Sequence, residues 1–259
     1  MIKFNYITCS GTNESTDIKG IVDLMKEFEC GEIAVQVSEK QSPAGGARIE
    51  WVRELAAYLN DHRIVINAAL HINRTWVEQM CRGIVVPELQ EMIDLRNIYD
   101  MPLFRRLQLN FKLGRDDVHD DCGDTLMMLQ QRIERHFILS CNESNERLIR
   151  QLYLKGLRFD CLFDSSFGAG ITPNTRRAPI FNDIMQGYAG GITPDNVCAE
   201  LDKIARAVEN SPSLGHIYID AQKGLEDKQM HLSLGKCYHY LQRATEWAYR
   251  HVNNFSQTF

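Results

Sequence analysis

The chain has 259 residues, 44% of them apolar, and a net charge of −5 with acidic and basic residues interspersed. That length suits one large domain with a substantial core, and the charge pattern gives no reason to expect a nucleic-acid or acidic-membrane partner. The start, MIKFNYITCS, lacks the apolar run of a signal peptide, no stretch approaches a membrane span, and eight cysteines without a CxxC pair read as reduced thiols of a cytoplasmic protein.

Strand and helix signals then alternate along the chain. Residues 4–9 suit a first strand, and Thr16 is placed to cap a helix carrying Ile18, Ile21, Val22, Met25 and Phe28. Residues 32–37 alternate as a strand, 47–60 give a helix with Ile49, Val52, Leu55 and Leu59 on one side, and 63–70 form a third strand. The segment 76–100 is long for one helix and contains Pro87, which divides it in two. Residues 107–111 give strand four, the polar run 115–124 a loop, and 125–134 a helix. Strand five (136–141), a helix over 145–155 closed by Gly156, and strand six (159–164) come next, then a Gly-, Pro- and Arg-containing loop over 167–179. A short strand runs from Met185 into Gly190-Gly191. Thr193 then reads as an N-cap, Pro194 as the first helical residue, and Val197, Leu201, Ile204 and Val208 as a buried helix face. Residues 216–220 form a last strand, followed by a loop with Lys223, Gly224 and Glu226 and a final helix within 229–252. About eight strand–helix repeats with no break in composition predict a single (β/α)₈ barrel; an open doubly wound sheet is the other arrangement such repeats allow.

In a barrel the chemistry sits where strands end, and Cys9, Gln108, Asp164, Gly191 and Asp220 each stand at such an end. The most informative stretch is MQGYAGGITPDNV, residues 185–197. Its glycines let a ligand approach the backbone, and the helix start behind them presents N–H groups and a positive dipole end to a phosphate. The loop with Lys223 and Gly224 is expected beside it. A carboxylate closing the apolar strand Cys161-Leu162-Phe163-Asp164 is costly to desolvate, which suits a group that carries a proton.

GGITPDNV followed by IDAQKGLE resembles the closing segment of the phosphoribosylanthranilate isomerase family, Gly-Gly-Leu-x-Pro-x-Asn-Val and then Asp-Val-Ser-Ser-Gly-Val-Glu. Cys9-Ser10-Gly11-Thr12 is similar to its Cys-Gly-Ile/Leu-Thr, Gln108-Leu109-Asn110 to its Gln-Leu-His, and Gly168-Ala169-Gly170 to its Gly-rich loop. The resemblance implies a phosphate-binding barrel that performs an Amadori-type rearrangement of an N-linked ribose phosphate, as in tryptophan biosynthesis. It makes Cys9 the general base and Asp164 the general acid, and has Gln108, Gly168, Gly170, Gly190, Gly191, Asp220, Lys223 and Gly224 hold the substrate. Neither a metal nor a redox cofactor is called for, and a homodimer is left open.

One departure bears on the substrate. The family's carboxylate-binding arginine in the loop after strand two has no counterpart in residues 38–46, where Lys40 is a point charge rather than a planar fork. Arg48 reads as a surface residue, and Arg176 or Arg177 is the arginine left to replace the clamp. Asp116, Asp117, His119, Asp120 and Asp121 read as a solvated acidic loop rather than a metal site. Two other readings keep the barrel: different chemistry, such as an aldolase or epimerase with Lys112 as nucleophile, or a non-catalytic barrel that binds a phosphorylated metabolite.

Overall fold

The computed structural model describes residues 3–40, 46–110, 122–164, 169–209 and 216–255. Eight strands close into a barrel in chain order: β1 Lys3–Thr12, β2 Gly31–Val37, β3 Asn67–Asn73, β4 Arg106–Asn110, β5 His136–Cys141, β6 Phe159–Phe163, β7 Gln186–Tyr188 and β8 His216–Ala221. Neighbours pair in parallel throughout, so every carboxyl end reaches the same rim. The helices are α1 Ile18–Glu27, α2 Ile49–Asp61, α3 Thr75–Cys81, α4 Pro87–Asp94, α5 Cys122–Ile133, α6 Glu146–Leu154, α7 Val197–Glu209 and α8 Leu234–Phe255. None among the described residues is long and apolar enough to cross a membrane.

The period-two alternation of each strand sorts its side chains into two environments. Ile33, Val35 and Val37 of β2, Leu70 and Ile72 of β3, and Leu107 and Leu109 of β4 join the apolar layer under the helices. Tyr6, Ile138, Leu162, Met185, Ala189 and Tyr218 form a second, smaller apolar cluster inside the barrel.

Two of three boundaries differ from the sequence expectation. Asp17, not Thr16, caps α1, its carboxylate accepting the Gly20 N–H at 2.8 Å. Pro87 opens α4 and so divides the segment after β3, as expected. The third strand starts four residues later than the apolar pattern suggests, because Arg63 takes a left-handed conformation (φ 55°) where α2 ends. That shift carries β3 through His71 to Asn73.

Below the apolar cluster lies a buried ionic layer. Arg106 donates to both oxygens of Glu32 and, at 3.0 Å, to Asp160, while Thr8 donates to Glu32 at 2.7 Å. Its guanidinium lies between the rings of Tyr6 and Tyr218, 3.9 and 4.6 Å from their centroids. Gly187 makes room for this arrangement, since a Cβ there would lie 2.1 Å from the Tyr218 ring.

Candidate active site

At the carboxyl rim the inward positions are polar. Ser10 follows Tyr6 and Thr8 on β1, and its hydroxyl donates to Asp220 of β8 at 2.5 Å. Asp220 is buried, and that burial pushes its carboxyl up to about 7; the Ser10 hydrogen bond opposes the rise, and Glu32 and Asp164 add to it. Asp164 stands one residue beyond β6, half-buried, its N–H directed at the Cys141 carbonyl at 3.4 Å. The burial expected at Asp164 therefore falls on Asp220 instead.

Gln36, His71 and Gln108 form one row across β2, β3 and β4. His71 is buried and its pKa is held down to about 3, first by that burial and then by the charge of Arg106, so the imidazole is neutral. Amide side chains crowd around the row. Gln36 donates to Gln222 at 2.6 Å, Gln108 to Asn110 at 2.7 Å, and Asn110 to Asn73 at 3.0 Å.

Cys9 is not at this site. With Thr8 and Ser10 facing inward, alternation turns Cys9 outward, where it is fully buried in the apolar layer and hydrogen-bonded to Cys237 of α8. Burial raises its thiol well above the ordinary cysteine range, the reverse of what a base requires. Cys9 therefore does not serve as the base. Ser10 occupies the inward place, and Gly11 (φ 96°) forms the irregularity between Ser10 and Thr12 across which the register of β1 on β2 shifts.

The glycine loops do meet. A Cβ at Gly191 would lie 2.3 Å from the Thr172 nitrogen, one at Gly224 2.2 Å from the Ile192 oxygen, and one at Gly170 2.8 Å from the Lys223 side chain. At Gly191 and Gly224 the missing side chain thus allows loop to pack on loop, rather than ligand to approach backbone. Lys223 Nζ reaches across to the Ala169 carbonyl at 3.0 Å. Gly168 lies outside the described residues, as do Lys112 and the acidic cluster from Asp116 to Asp121.

Behind the Gly-Gly turn, Arg176 is buried and fully engaged. It donates to Glu200 at 2.8 Å, to the Ala189 carbonyl at 2.5 Å and to the Gly190 carbonyl at 3.0 Å. The Gly191 carbonyl accepts from Thr172 at 2.9 Å and Asn196 at 2.8 Å. Thr193 and Asn196 bond each other's backbone N–H reciprocally, at 2.8 and 3.2 Å, which fixes the start of the following helix. Arg176 is therefore a brace of the turn, not a clamp for a ligand carboxylate. Arg176→Met is expected to lower stability by about 2 kcal/mol, because Glu200 then keeps only the half-buried Lys203, 2.7 Å away, and the Ala189 and Gly190 carbonyls lose their donor; the measure is a lower urea midpoint. Arg177 pairs with Glu146 and lies over the Phe163 ring, and Arg48 reaches Glu14 at 3.5 Å.

No family model matches the chain, and no curated protein matches it. Among solved structures it is similar to TrpF from Jonesia denitrificans, at 16% identity and a TM-score of 0.56 over 94% of this chain and 98% of that one. It is also similar to phosphoribosyl anthranilate isomerase from Thermus thermophilus, at 13% identity and a TM-score of 0.54 over 93% and 98%. At these identities the likeness shows the fold alone: a closed barrel of eight parallel strands with alternating helices.

Proposed function

We propose that the chain is an isomerase of a phosphorylated sugar derivative, converting an N-linked ribose phosphate from aldose to ketose form with Asp220 as its acid and Asp164 as its base. The observation that carries this reading is Asp220, a buried carboxyl inside the rim whose proton is held to about pH 7 and whose orientation Ser10 fixes. A group poised there exchanges protons readily at neutral pH.

The phosphate-binding element follows from the bracing of the 189–192 turn. In a planar trans peptide the N–H points opposite the C=O. Arg176, Thr172 and Asn196 hold the carbonyls of Ala189, Gly190 and Gly191 on their own side. The N–H groups of Gly190, Gly191 and Ile192 are turned the other way. The two glycines take positive φ (87° and 66°), which glycine adopts without strain, and three successive N–H groups on this side of the turn are donors suited to a phosphate. Lys223 stands across the same loop cluster.

Proton transfers between the two carboxyls and the sugar then carry the chemistry. Asp220 gives a proton to the ring oxygen as the C–O bond breaks and an imine forms, and Asp164 takes the proton from the neighbouring carbon. The resulting enol gives its O–H proton back to Asp220 and receives at C1 the proton that Asp164 holds, which yields the ketone and restores both carboxyls. Each transfer is typically worth about 10² to 10⁴ in rate, so Asp164→Asn is expected to lower kcat by that factor with little change in ligand affinity.

Binding is tested first by isothermal titration with ribose 5-phosphate and with ribose. The phosphorylated sugar is expected to bind at least about tenfold tighter, a difference of about 1.4 kcal/mol, and Lys223→Gln to weaken it several-fold. Equal affinity for the two sugars would remove phosphate recognition. Binding without turnover of any N-linked ribose phosphate would favour a non-catalytic barrel.

A further inference from the structure

The amides of the rim have a direction that the protein fixes. Asn73 Nδ2 lies 3.0 Å from the His71 carbonyl and 3.5 Å from the Val37 carbonyl, groups that only accept. Its amide nitrogen must face them, so its Oδ1 takes the Asn110 amide at 3.0 Å, and Asn110 Oδ1 takes the Gln108 amide at 2.7 Å. This leaves Gln108 Oε1 at the end of the relay. Gln108 is 4% exposed, and that oxygen has no hydrogen-bond partner among the described residues. An unmet buried acceptor is costly, which gives it a strong preference for a donor.

A second relay has the same polarity. The Glu226 carboxylate accepts from Gln222 Nε2 at 3.1 Å, and Gln222 Oε1 accepts from Gln36 Nε2 at 2.6 Å. Its outer end is again a carbonyl oxygen, on Gln36. Gln36 and Gln108 flank His71 in register, so two acceptors stand on either side of a neutral imidazole. Arg106 is the arginine that the strand alternation places inside the barrel among the described residues, and it is engaged with Glu32 and Asp160 below.

We infer that Gln36 and Gln108 form an acceptor subsite that takes hydroxyl or amide N–H donors of the substrate and rejects a carboxylate, so that the end of the substrate away from its phosphate is neutral. The inference rests on the reading of a phosphorylated sugar derivative given above, and names which derivatives fit. A carboxylate at this subsite would set acceptor against acceptor, and Arg106 below is already engaged with Glu32 and Asp160. A carboxamide of the same shape supplies the missing donor.

Two non-reacting N-aryl amino-ribitol phosphates, differing only in an ortho carboxamide or an ortho carboxylate, test this by titration. The carboxamide is expected to bind wild type about tenfold tighter or more, and Gln108→Met to erase most of that preference. Gln36→Met, at a half-buried position, reads the same preference through a second variant. Equal affinities, a tighter carboxylate, or binding of ribose 5-phosphate alone would overturn the subsite and leave the phosphorylated-sugar reading standing. No binding of any phosphorylated compound would overturn that reading and the subsite with it.

Discussion

Arg106→Met is expected to destabilise the barrel by about 3–5 kcal/mol, read as a lower urea midpoint. The side chain is 4% exposed and holds two carboxylates, Glu32 and Asp160, that are themselves almost fully buried. Removing the guanidinium leaves both charges without compensation in a low-dielectric interior, where each must be protonated or take on water. It also removes the cation between Tyr6 and Tyr218. His136, 2.8 Å from Asp160, touches only one of the two acids and does not replace it. The triple variant Arg106→Met, Glu32→Leu, Asp160→Leu is expected to regain much of the loss, because no buried charge then remains unpaired. An unchanged midpoint for the single variant would show that the layer is hydrated rather than dry.

Asp220→Asn is expected to stabilise the protein most at pH 8, less at pH 5, and hardly at all below about pH 4. The folded pKa of Asp220 is raised from the ordinary 3.8 to about 7. Between those values the native state holds a proton that the unfolded chain has released, so stability falls as pH rises through that window and stays lower above it. The full difference is worth about 4 kcal/mol, of which about 2–4 is expected back when a neutral amide replaces the ionised carboxylate. Ser10 can donate to the Asn oxygen as it does to the Asp. His71 has the opposite slope. Its folded pKa of about 3 lies below the unfolded value, so its contribution is lost as pH falls from about 6.5 toward 3. The two effects oppose each other between pH 4 and 6.5, so the difference between wild type and Asp220→Asn isolates the carboxyl. Melting curves across pH 5–8 measure it. A constant offset over that range would mean that Asp220 does not titrate there. A group that destabilises the fold at neutral pH is one expected of a functional site rather than of a core.

Strand order and barrel closure were legible because apolar runs, caps and the Gly-Gly turn recur at barrel spacing; Pro87 even marked the break after β3. The loop cluster was legible for a related reason. Gly170, Gly190, Gly191, Lys223 and Gly224 stand in motifs whose turns demand glycine, although Gly191 and Gly224 serve loop packing. What the sequence concealed was the facing of side chains. A one-residue change of phase moves every residue of a strand to the other face, and at β1 it exchanges Cys9 for Ser10. At β3 the apolar run of residues 63–70 masked a strand that starts at Asn67, so His71 and Asn73 fell outside the strand ends considered. The relay polarity of Gln108 had no sequence signal, since it depends on which carbonyls Asn73 meets across the barrel.

The pH dependence of kcat/KM for an N-linked ribose phosphate tests most directly whether Asp220 is the acid of an aldose–ketose rearrangement. Turnover by wild type is expected to fall above about pH 7 as Asp220 ionises. Asp220→Asn is expected to lower the rate by about 10² or more and to remove that limb from whatever rate remains. A limb retained in the variant would belong to the substrate's own ionisation, and together with an undiminished rate it would contradict the assignment.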